Sequence, residues 1–257
     1  LKIFKGSFMN IGILGGGQLA QMMALAAYPL GINVTAFDPS DNPCASHVCP
    51  VIQGDYHDLS AIRQFCQKTD VITYENENIP LTTAQFIEQH FHLAPGADIL
   101  NISQDRLHEK QLFTQLNIPT PLFYQVNNLT HLKQAITNIG LPVVLKTRRM
   151  GYDGKGQTII RNPNDIPIAW QQLGQQALIV EAFIDFQTEV SLIAVNNQHQ
   201  TYFYPLTENT HQQGILKRSQ VPYENNELQQ QAKTYCQQIL THTQYIGVLT
   251  IEFFVVN

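Results

Sequence analysis

"RRMGYDGKGQ", residues 148–157, lies between the apolar runs "LPVVLK" (141–146) and "TIIRN" (158–162). The chain holds only 15 Lys and Arg in 257 residues, yet Lys146, Arg148, Arg149, Lys155 and Arg161 crowd into this stretch. An ordinary hairpin turn has no need of them. Glycines at 151, 154 and 156 let the loop bend over a ligand and aim backbone N–H groups at anionic oxygens. Alternation in "PVVLK" makes Lys146 half-buried, where an unpaired ammonium is costly and a polyphosphate is its natural partner. The alternative is a flexible surface turn with solvated cations.

Outward from the hairpin, "TPLFYQV" reads as a strand and "NLTHLKQAITNIG" as a helix capped by Asn127 or Asn128 and stopped at Gly140. With the hairpin they form a compact α+β unit, and the apolar run "ALIVEAFIDF" leads out of it. From Thr188 onward "EVSLIAV", "TYFYPLTEN" and "VLTIEFFVV" read as antiparallel strands, with the helix "NELQQQAKTYCQQILTHT" inserted. Upstream, strands ("MNIGILG", "INVTAFD", "DVITYE") alternate with helices ("QLAQMMALAAYPLG", "DLSAIRQFCQK", "LTTAQFIEQH"). That alternation predicts a doubly wound parallel sheet built by right-handed crossovers. "ISQDRLHEKQLFTQLN" reads as one long helix leaving it, with Ser103 as its cap. The predicted order is a doubly wound domain over 9–105, a linker helix and small α+β lid over 106–187, and an antiparallel-sheet domain over 188–257. Residues 1–8 read as a tag or upstream extension, and the chain is expected to be a fragment, since "GVLTIEFFVVN" stops where a strand should turn.

In the first domain "ILGGGQLAQ" (13–21) follows a strand directly, and Asp38 comes 23 residues after Gly15. That is close to the dinucleotide fingerprint, in which glycines allow close backbone approach and a helix start holds phosphate. Three readings stand: a nicotinamide dinucleotide site, a tight turn without ligand, or a site for another phosphate such as a substrate 5′-phosphate.

Composition narrows the classes. With 44% hydrophobic and 14% charged residues the chain is globular, and a net charge of −5 leaves no bulk attraction for nucleic acid or anionic membrane. Any anion site is therefore local. Cys44, Cys49, Cys66 and Cys236 form no C-x-x-C pair, which fits reduced thiols in a cytoplasmic protein better than a metal site.

Carboxylates inside strands complete the pattern. Glu189 precedes "VSLIAV", and Glu252 shares a strand face with Thr250 and Phe254. Either Glu252 is an exposed edge-strand charge, or it is buried and needs a cation, for which Mg²⁺ between carboxylate and phosphates suits hard oxygen ligands. Glu181 closes "ALIVE" at an apolar connector whose backbone is able to hold an adenine while the glutamate takes a ribose hydroxyl. His211, in "ENTHQQ", reads as lying in a polar loop.

The order of glycine-rich first domain, lid with a lysine strand and glycine hairpin, "VEAFI" connector and in-strand glutamates resembles the ATP-grasp superfamily. Within it, "KTRRMGYDGKGQ", "YPLTENTHQQGIL", "TYENENIP" and "DRLHEKQLF" resemble the 5-(carboxyamino)imidazole ribonucleotide synthetases of purine biosynthesis, almost continuously over 9–257. The resemblance implies a carbon–nitrogen ligase taking ATP, Mg²⁺, bicarbonate and aminoimidazole ribonucleotide, cytoplasmic and homodimeric. The implied ATP contacts are Arg106, Lys146, the loop Gly151, Tyr152, Asp153, Gly154, Lys155, Gly156 and Gln157, the connector Glu181, Ala182, Phe183 and Ile184, then Glu189 and His211. Tyr152, Asp153 and Lys155 would face the aminoimidazole, Asp153 orienting or deprotonating its amine. Gln18, Leu19 and Glu75 would meet the ribonucleotide, which turns the first glycine cluster into a substrate-phosphate site. Glu252 matches a Mg²⁺ ligand. The second Mg²⁺ glutamate of the family, in an Asn-Glu pair, is expected after Asn257, so the fragment is not expected to turn over. Rival readings are another ATP-grasp ligase such as the formate-using glycinamide ribonucleotide transformylase, a nicotinamide dehydrogenase, or a catalytically silent nucleotide-binding module.

Overall fold

The computed structural model describes residues 9–151, 155–174, 176–197, 199–212 and 214–256. The chain divides into two compact units between Asn101 and Ile102. In the first, strands β1 (Asn10–Leu14), β2 (Asn33–Asp38), β3 (Val51–Gln53) and β4 (Val71–Tyr74) form a parallel sheet ordered β3-β2-β1-β4. Helices α1 (Gln18–Ala27), α2 (Leu59–Cys66) and α3 (Leu81–His90) lie between the strands, and α4 (Ala97–Ser103) follows them. Both sheet faces are covered, as a parallel sheet requires. Ile13, Val34 and Ala36 pack with Ala20, Ala24 and Ala27 of α1. Leu14, Phe37 and Ile72 pack with Ile62, Phe65 and Ile87. The Asp58 side chain caps α2 by accepting from the amides of Ser60 and Ala61.

The second unit begins with α5 (Arg106–Gln115). Here the reading of one helix over 102–117 capped by Ser103 is corrected: Ser103 is the last residue of α4, and Asp105, in extended backbone, caps α5 through its side chain on the Leu107 amide. The reason is tertiary. The same carboxylate takes Arg148 Nε at 2.8 Å and Nη2 at 2.6 Å, a bidentate pair that holds the chain out of helical geometry.

Next come β5 (Phe123–Val126), α6 (Leu129–Ile139, capped by Asn128 and ended at Gly140), β6 (Val143–Thr147), β7 (Gln157–Ile160), α7 (Ile166–Leu173) and β8 (Leu178–Ala182). The strands form an antiparallel sheet ordered β5-β8-β6-β7. The apolar connector is thus a central strand, and α7 went unread because its pattern is short and opens on Pro163 and Pro167. Val143, Leu145, Leu178 and Val180 face a core with Leu132, Ile136, Ile166 and Ala169. Alternation turns Lys146 and Glu181 to the opposite face.

A second antiparallel sheet is built on β9 (Thr188–Asn196), flanked on one edge by β10 (Thr201–Phe203) and β11 (Thr207–Gln212), with β12 (Ile215–Gln220) beyond. Helix α8 (Asn226–His242, capped by Asn225) precedes β13 (Gly247–Val255), which pairs along all of β9. "TYFYPLTEN" is therefore two strands and not one. Pro205, which lacks an N–H for a ladder, sits at the break. No helix among the described residues is long and apolar enough to cross a membrane.

Candidate active site

Lys146 and Glu181 come from neighbouring antiparallel strands. Lys146 lies opposite Ile179 and Val144 opposite Glu181, so the two charges are a diagonal pair on one face. Lys146 Nζ is 3.1 Å from Glu181 Oε2. A carboxylate thus stands beside the ammonium expected to meet a polyphosphate. Glu181 is 3% exposed. Its Oε2 also meets Lys110 Nζ, from α5, at 3.4 Å. Burial opposes the charge of Glu181, but Lys146 and Lys110 together hold its carboxyl below the ordinary range. Burial lowers the Lys146 ammonium, Glu181 works against that, and Lys110 and Arg106 push it further down. One carboxylate answers two ammonium groups with Arg106 close by, so this half-enclosed cluster carries excess positive charge. Glu181 Oε1 is buried without a hydrogen-bond partner among the described residues.

Arg106 opens α5, and its backbone amide donates to Arg148 O at 3.0 Å while Nη2 reaches Gly151 O at 3.2 Å. Helix start and hairpin loop are tied by these bonds. Gly156, at φ 71°, brings its Cα against Thr147 Oγ1, and its carbonyl accepts the Thr147 amide at 2.8 Å. A side chain there would meet both a strained φ and that hydroxyl. Tyr152, Asp153 and Gly154 lie outside the described residues. Lys155 is exposed, and Gln157 pairs with Lys146 in the ladder. Several of these cations have partners within the protein: Arg148 on Asp105, the exposed Arg149 with Nε 3.7 Å from the same carboxylate, and the exposed Arg161 over the Phe183 ring at 5.3 Å.

Along the connector, the Ala182 amide donates to Leu122 O and the Phe183 amide to Pro142 O. Those two N–H groups serve the fold, so an adenine held here would use the carbonyls or Ile184. A cavity of about 500 Å³ brings Ile184, Lys110, Glu252 and Phe254 to one wall, within the size range of small-molecule sites. A larger hollow of about 820 Å³, between the end of α5, β10 and α8, contains none of the predicted site residues.

On the second sheet, Glu189 lies opposite Asn209 of β11 and Phe254 of β13, while Glu252 lies opposite Ser191. All share one face. His211 is not in a loop: it stands in β11, two residues past Asn209, just after a bulge. Its Nδ1 is 3.5 Å from Glu189 Oε1, an ion-pair distance, yet that oxygen has no aligned hydrogen bond among the described residues. We read the contact as electrostatic only. Asn209 Nδ2 donates to Ser191 Oγ at 3.1 Å, and Ser219 Oγ donates to Asn209 Oδ1 at 2.9 Å. Glu252 is exposed on β13, on the same face as Glu189. Burial raises the Glu189 carboxyl, the charge of Glu252 raises it further, and His211 opposes.

That shift has a measurable sign. A carboxyl with a raised folded-state pKa contributes stability at low pH that is lost as pH rises through the shifted value. Glu252→Gln removes the neighbouring charge, so in chelator the variant should melt above wild type at neutral pH and converge with it near about pH 4. Parallel melting curves at every pH would show that the two carboxylates do not interact.

In the first unit, the start of α1 already holds an anion. Gly17 N donates to Glu75 Oε2 at 2.6 Å and Leu19 N to Oε1 at 3.2 Å. A side chain at Gly17 would collide with this carboxylate, which accounts for the glycine there. Gln18 is the first helical residue. Asp38, the residue a dinucleotide reading would turn to a ribose, instead accepts from Gly16 N at 2.7 Å, Ser40 N at 2.8 Å and Tyr56 Oη at 3.3 Å. Its oxygens are spent on shaping the loop, against a nicotinamide site. Sequence reasoning missed Asp105 and Lys110. The second was marked by its place in "DRLHEK", one helical turn after Arg106.

Comparison with known proteins agrees with this geometry. The ATP-grasp domain model matches residues 111–257, and the ribonucleotide synthetase preATP-grasp domain model matches residues 8–104. The chain is similar to the N5-carboxyaminoimidazole ribonucleotide synthase of Pseudomonas aeruginosa, 44% identical over 250 residues, 97% of this chain and 69% of that protein. The same enzyme of Staphylococcus epidermidis is 37% identical over 248 residues, 96% of this chain and 66% of that one. Among solved structures, the synthetase of Thermus thermophilus superposes with a TM-score of 0.91 at 41% identity, covering 96% of this chain and 68% of that one. The Staphylococcus aureus synthetase complexed with ADP gives 0.92 at 35%, covering 98% and 68%. The chain thus spans about two thirds of the length of these proteins.

Proposed function

The chain belongs to the ATP-grasp family, among the N5-carboxyaminoimidazole ribonucleotide synthases, and from that membership we propose that the protein carboxylates aminoimidazole ribonucleotide with bicarbonate. ATP is consumed, and the N-carboxyamino product, ADP and phosphate are released, a step of purine biosynthesis. The observation that carries the reading is the half-enclosed, net-positive cluster of Lys146 and Lys110 on the single buried carboxylate of Glu181, with the charge of Arg106 felt by Lys146. Such a cluster calls for an anion, and a nucleoside triphosphate tail supplies one.

Bicarbonate is a poor electrophile. Attack of its oxygen on the γ-phosphorus, with ADP leaving, gives the mixed anhydride carboxyphosphate, whose carbon the substrate amine then takes as phosphate departs. The first transfer depends on positioning and charge neutralisation more than on covalent help. Lys146 and the backbone amides of the glycine loop are the groups we assign to the phosphates. Glu252 and Glu189 are two carboxylates on one sheet face, the second with a buried oxygen that accepts no hydrogen bond from the described residues; they are the hard donors that Mg²⁺ accepts alongside phosphate. When bound, the ion would neutralise charge developing on the transferred group. Gln18, Leu19 and Glu75, in the first unit, are the residues we assign to the ribonucleotide. The anhydride must be kept from water until the amine attacks.

The test is ADP release by the intact protein. Aminoimidazole ribonucleotide with bicarbonate should stimulate it, and glycinamide ribonucleotide with formate should not. Stimulation by the second pair alone would move the protein to the formate-using transformylases.

A further inference from the structure

Two lysines from different elements converge on one oxygen. Lys146 Nζ, from β6, and Lys110 Nζ, from α5, lie 3.1 and 3.4 Å from Glu181 Oε2, and each lysine side chain is 19% exposed. The Glu181 side chain is 4% exposed, and its other oxygen has no partner among the described residues. If Lys146 serves a nucleotide, it must give up at least part of its contact with Glu181. A buried carboxylate stripped of its cation is strongly unfavourable, so an arrangement with Lys146 alone would resist the nucleotide.

We propose that Lys110 is a positioning residue that frees Lys146 for the nucleotide, by keeping the Glu181 carboxylate paired when the Lys146 ammonium turns to the phosphates. The inference rests on the ATP reading above and gives a specific role to a lysine outside the predicted contacts. Its place suits that role. Lys110 follows Arg106 by one helical turn, and α5 is anchored at its start by Asp105 and by the Arg106 amide on Arg148 O. The second cation is therefore delivered by a fixed helix and not by the hairpin loop. Glu181, in the central strand of its sheet, is equally fixed. Of the three groups, Lys146 stands beside the loop and is the one that leaves the carboxylate and returns to it.

The arrangement makes an asymmetric prediction. Without Lys110, Glu181 pins Lys146, and ATP must compete with the carboxylate for the same ammonium. Neutralising Glu181 in the same molecule removes the competitor and restores the affinity. A lysine that touches phosphate directly would show no such rescue, nor would one that only packs.

ATP and adenosine binding to the intact protein by titration calorimetry, with melting curves to establish folding, test this in Lys110→Met, Lys110→Arg and the double variant Lys110→Met with Glu181→Gln. Lys110→Met should weaken ATP by about tenfold or more and leave adenosine unchanged, Lys110→Arg should stay near wild type, and the double variant should recover most of the loss when ATP is measured relative to adenosine, a reference that cancels any ribose contact made by Glu181. The double variant leaves no carboxylate buried and unpaired, and the Lys146 ammonium is free for the phosphates, so it remains informative if Lys110→Met fails to fold. Wild-type affinity in Lys110→Met, or a double variant as weak as that single one, overturns the proposal. Absence of ATP binding by the wild-type protein would instead remove the nucleotide reading itself.

Discussion

Asp105→Ala should lower the melting temperature by roughly 10 °C, the largest stability loss expected of a polar residue in this chain. Asp105 is 4% exposed and does three things with one carboxylate: it caps α5 on the Leu107 amide, pairs bidentately with Arg148, and lies 3.7 Å from Arg149. Removing one partner of a buried ion pair costs about 3–5 kcal/mol, because the other charge is left behind; loss of a cap adds about 1 kcal/mol. Together these approach the lower end of the roughly 5–15 kcal/mol that holds a domain folded. Burial opposes the charge, but hydrogen bonds from Arg148 and the Leu107 amide hold the carboxyl below its ordinary value. A depressed folded-state pKa contributes stability that is complete above the ordinary carboxylate range and lost as pH falls through the depressed value. The gap between wild type and variant should therefore be widest at neutral pH and narrow in acid. Asp105→Asn, which keeps the capping oxygen and loses the charge, should fall between them. If Asp105→Ala melts with wild type, the pair contributes nothing, and the break between α4 and α5 has another cause.

This break marks where the sequence was least legible. "ISQDRLHEKQLFTQLN" has helical spacing throughout, and nothing local distinguishes Ser103 from Asp105 as a cap. The decision was made 43 residues away, at Arg148. Elements whose signal is local came through: the parallel sheet of the first unit, the glycine-closed hairpin, and α6 between Asn128 and Gly140. By contrast β12, "ILKRSQ", is exposed along its whole length and has no alternation to read; its partner β11 alone defines it. His211 was misplaced for a similar reason, since a polar strand and a polar loop look alike until the ladder to β12 is seen.

The site divides along the same line. Residues marked by an unusual setting were found: a lysine ending an apolar strand, a glutamate closing "ALIVE", a glutamate before "VSLIAV". Lys110 sits on a helix among other polar residues, where a cation ordinarily means a solvated face. Its burial against Glu181 exists only once α5 packs beside the lid sheet. Sequence spacing also does not say which side chains pair, and so the contact of Lys146 with Glu181 went unread.

Lys146→Met is the sharpest test of what that lysine does. Methionine keeps the length and apolar stem, and Lys110 remains 3.4 Å from Glu181 Oε2 to answer its charge. The melting temperature should consequently fall by less than the loss of a sole ion-pair partner would cause, since Glu181 keeps one cation. Turnover should not survive so well. Removing one preorganised donor from charge that develops in a transition state costs about 10²–10³-fold in kcat. Steady-state ADP release with aminoimidazole ribonucleotide and bicarbonate should show that loss, with KM for ATP rising as well, because Lys146 would touch phosphate in the ground state too. Adenosine binding, which involves no phosphate, should be retained. The combination separates a phosphate ligand from a structural lysine: a structural role predicts lost stability with adenosine and ATP weakened alike. Unchanged turnover in a folded Lys146→Met protein would leave the positive cluster without its nucleotide, and the anion that its excess charge calls for would have to be sought elsewhere on the lid.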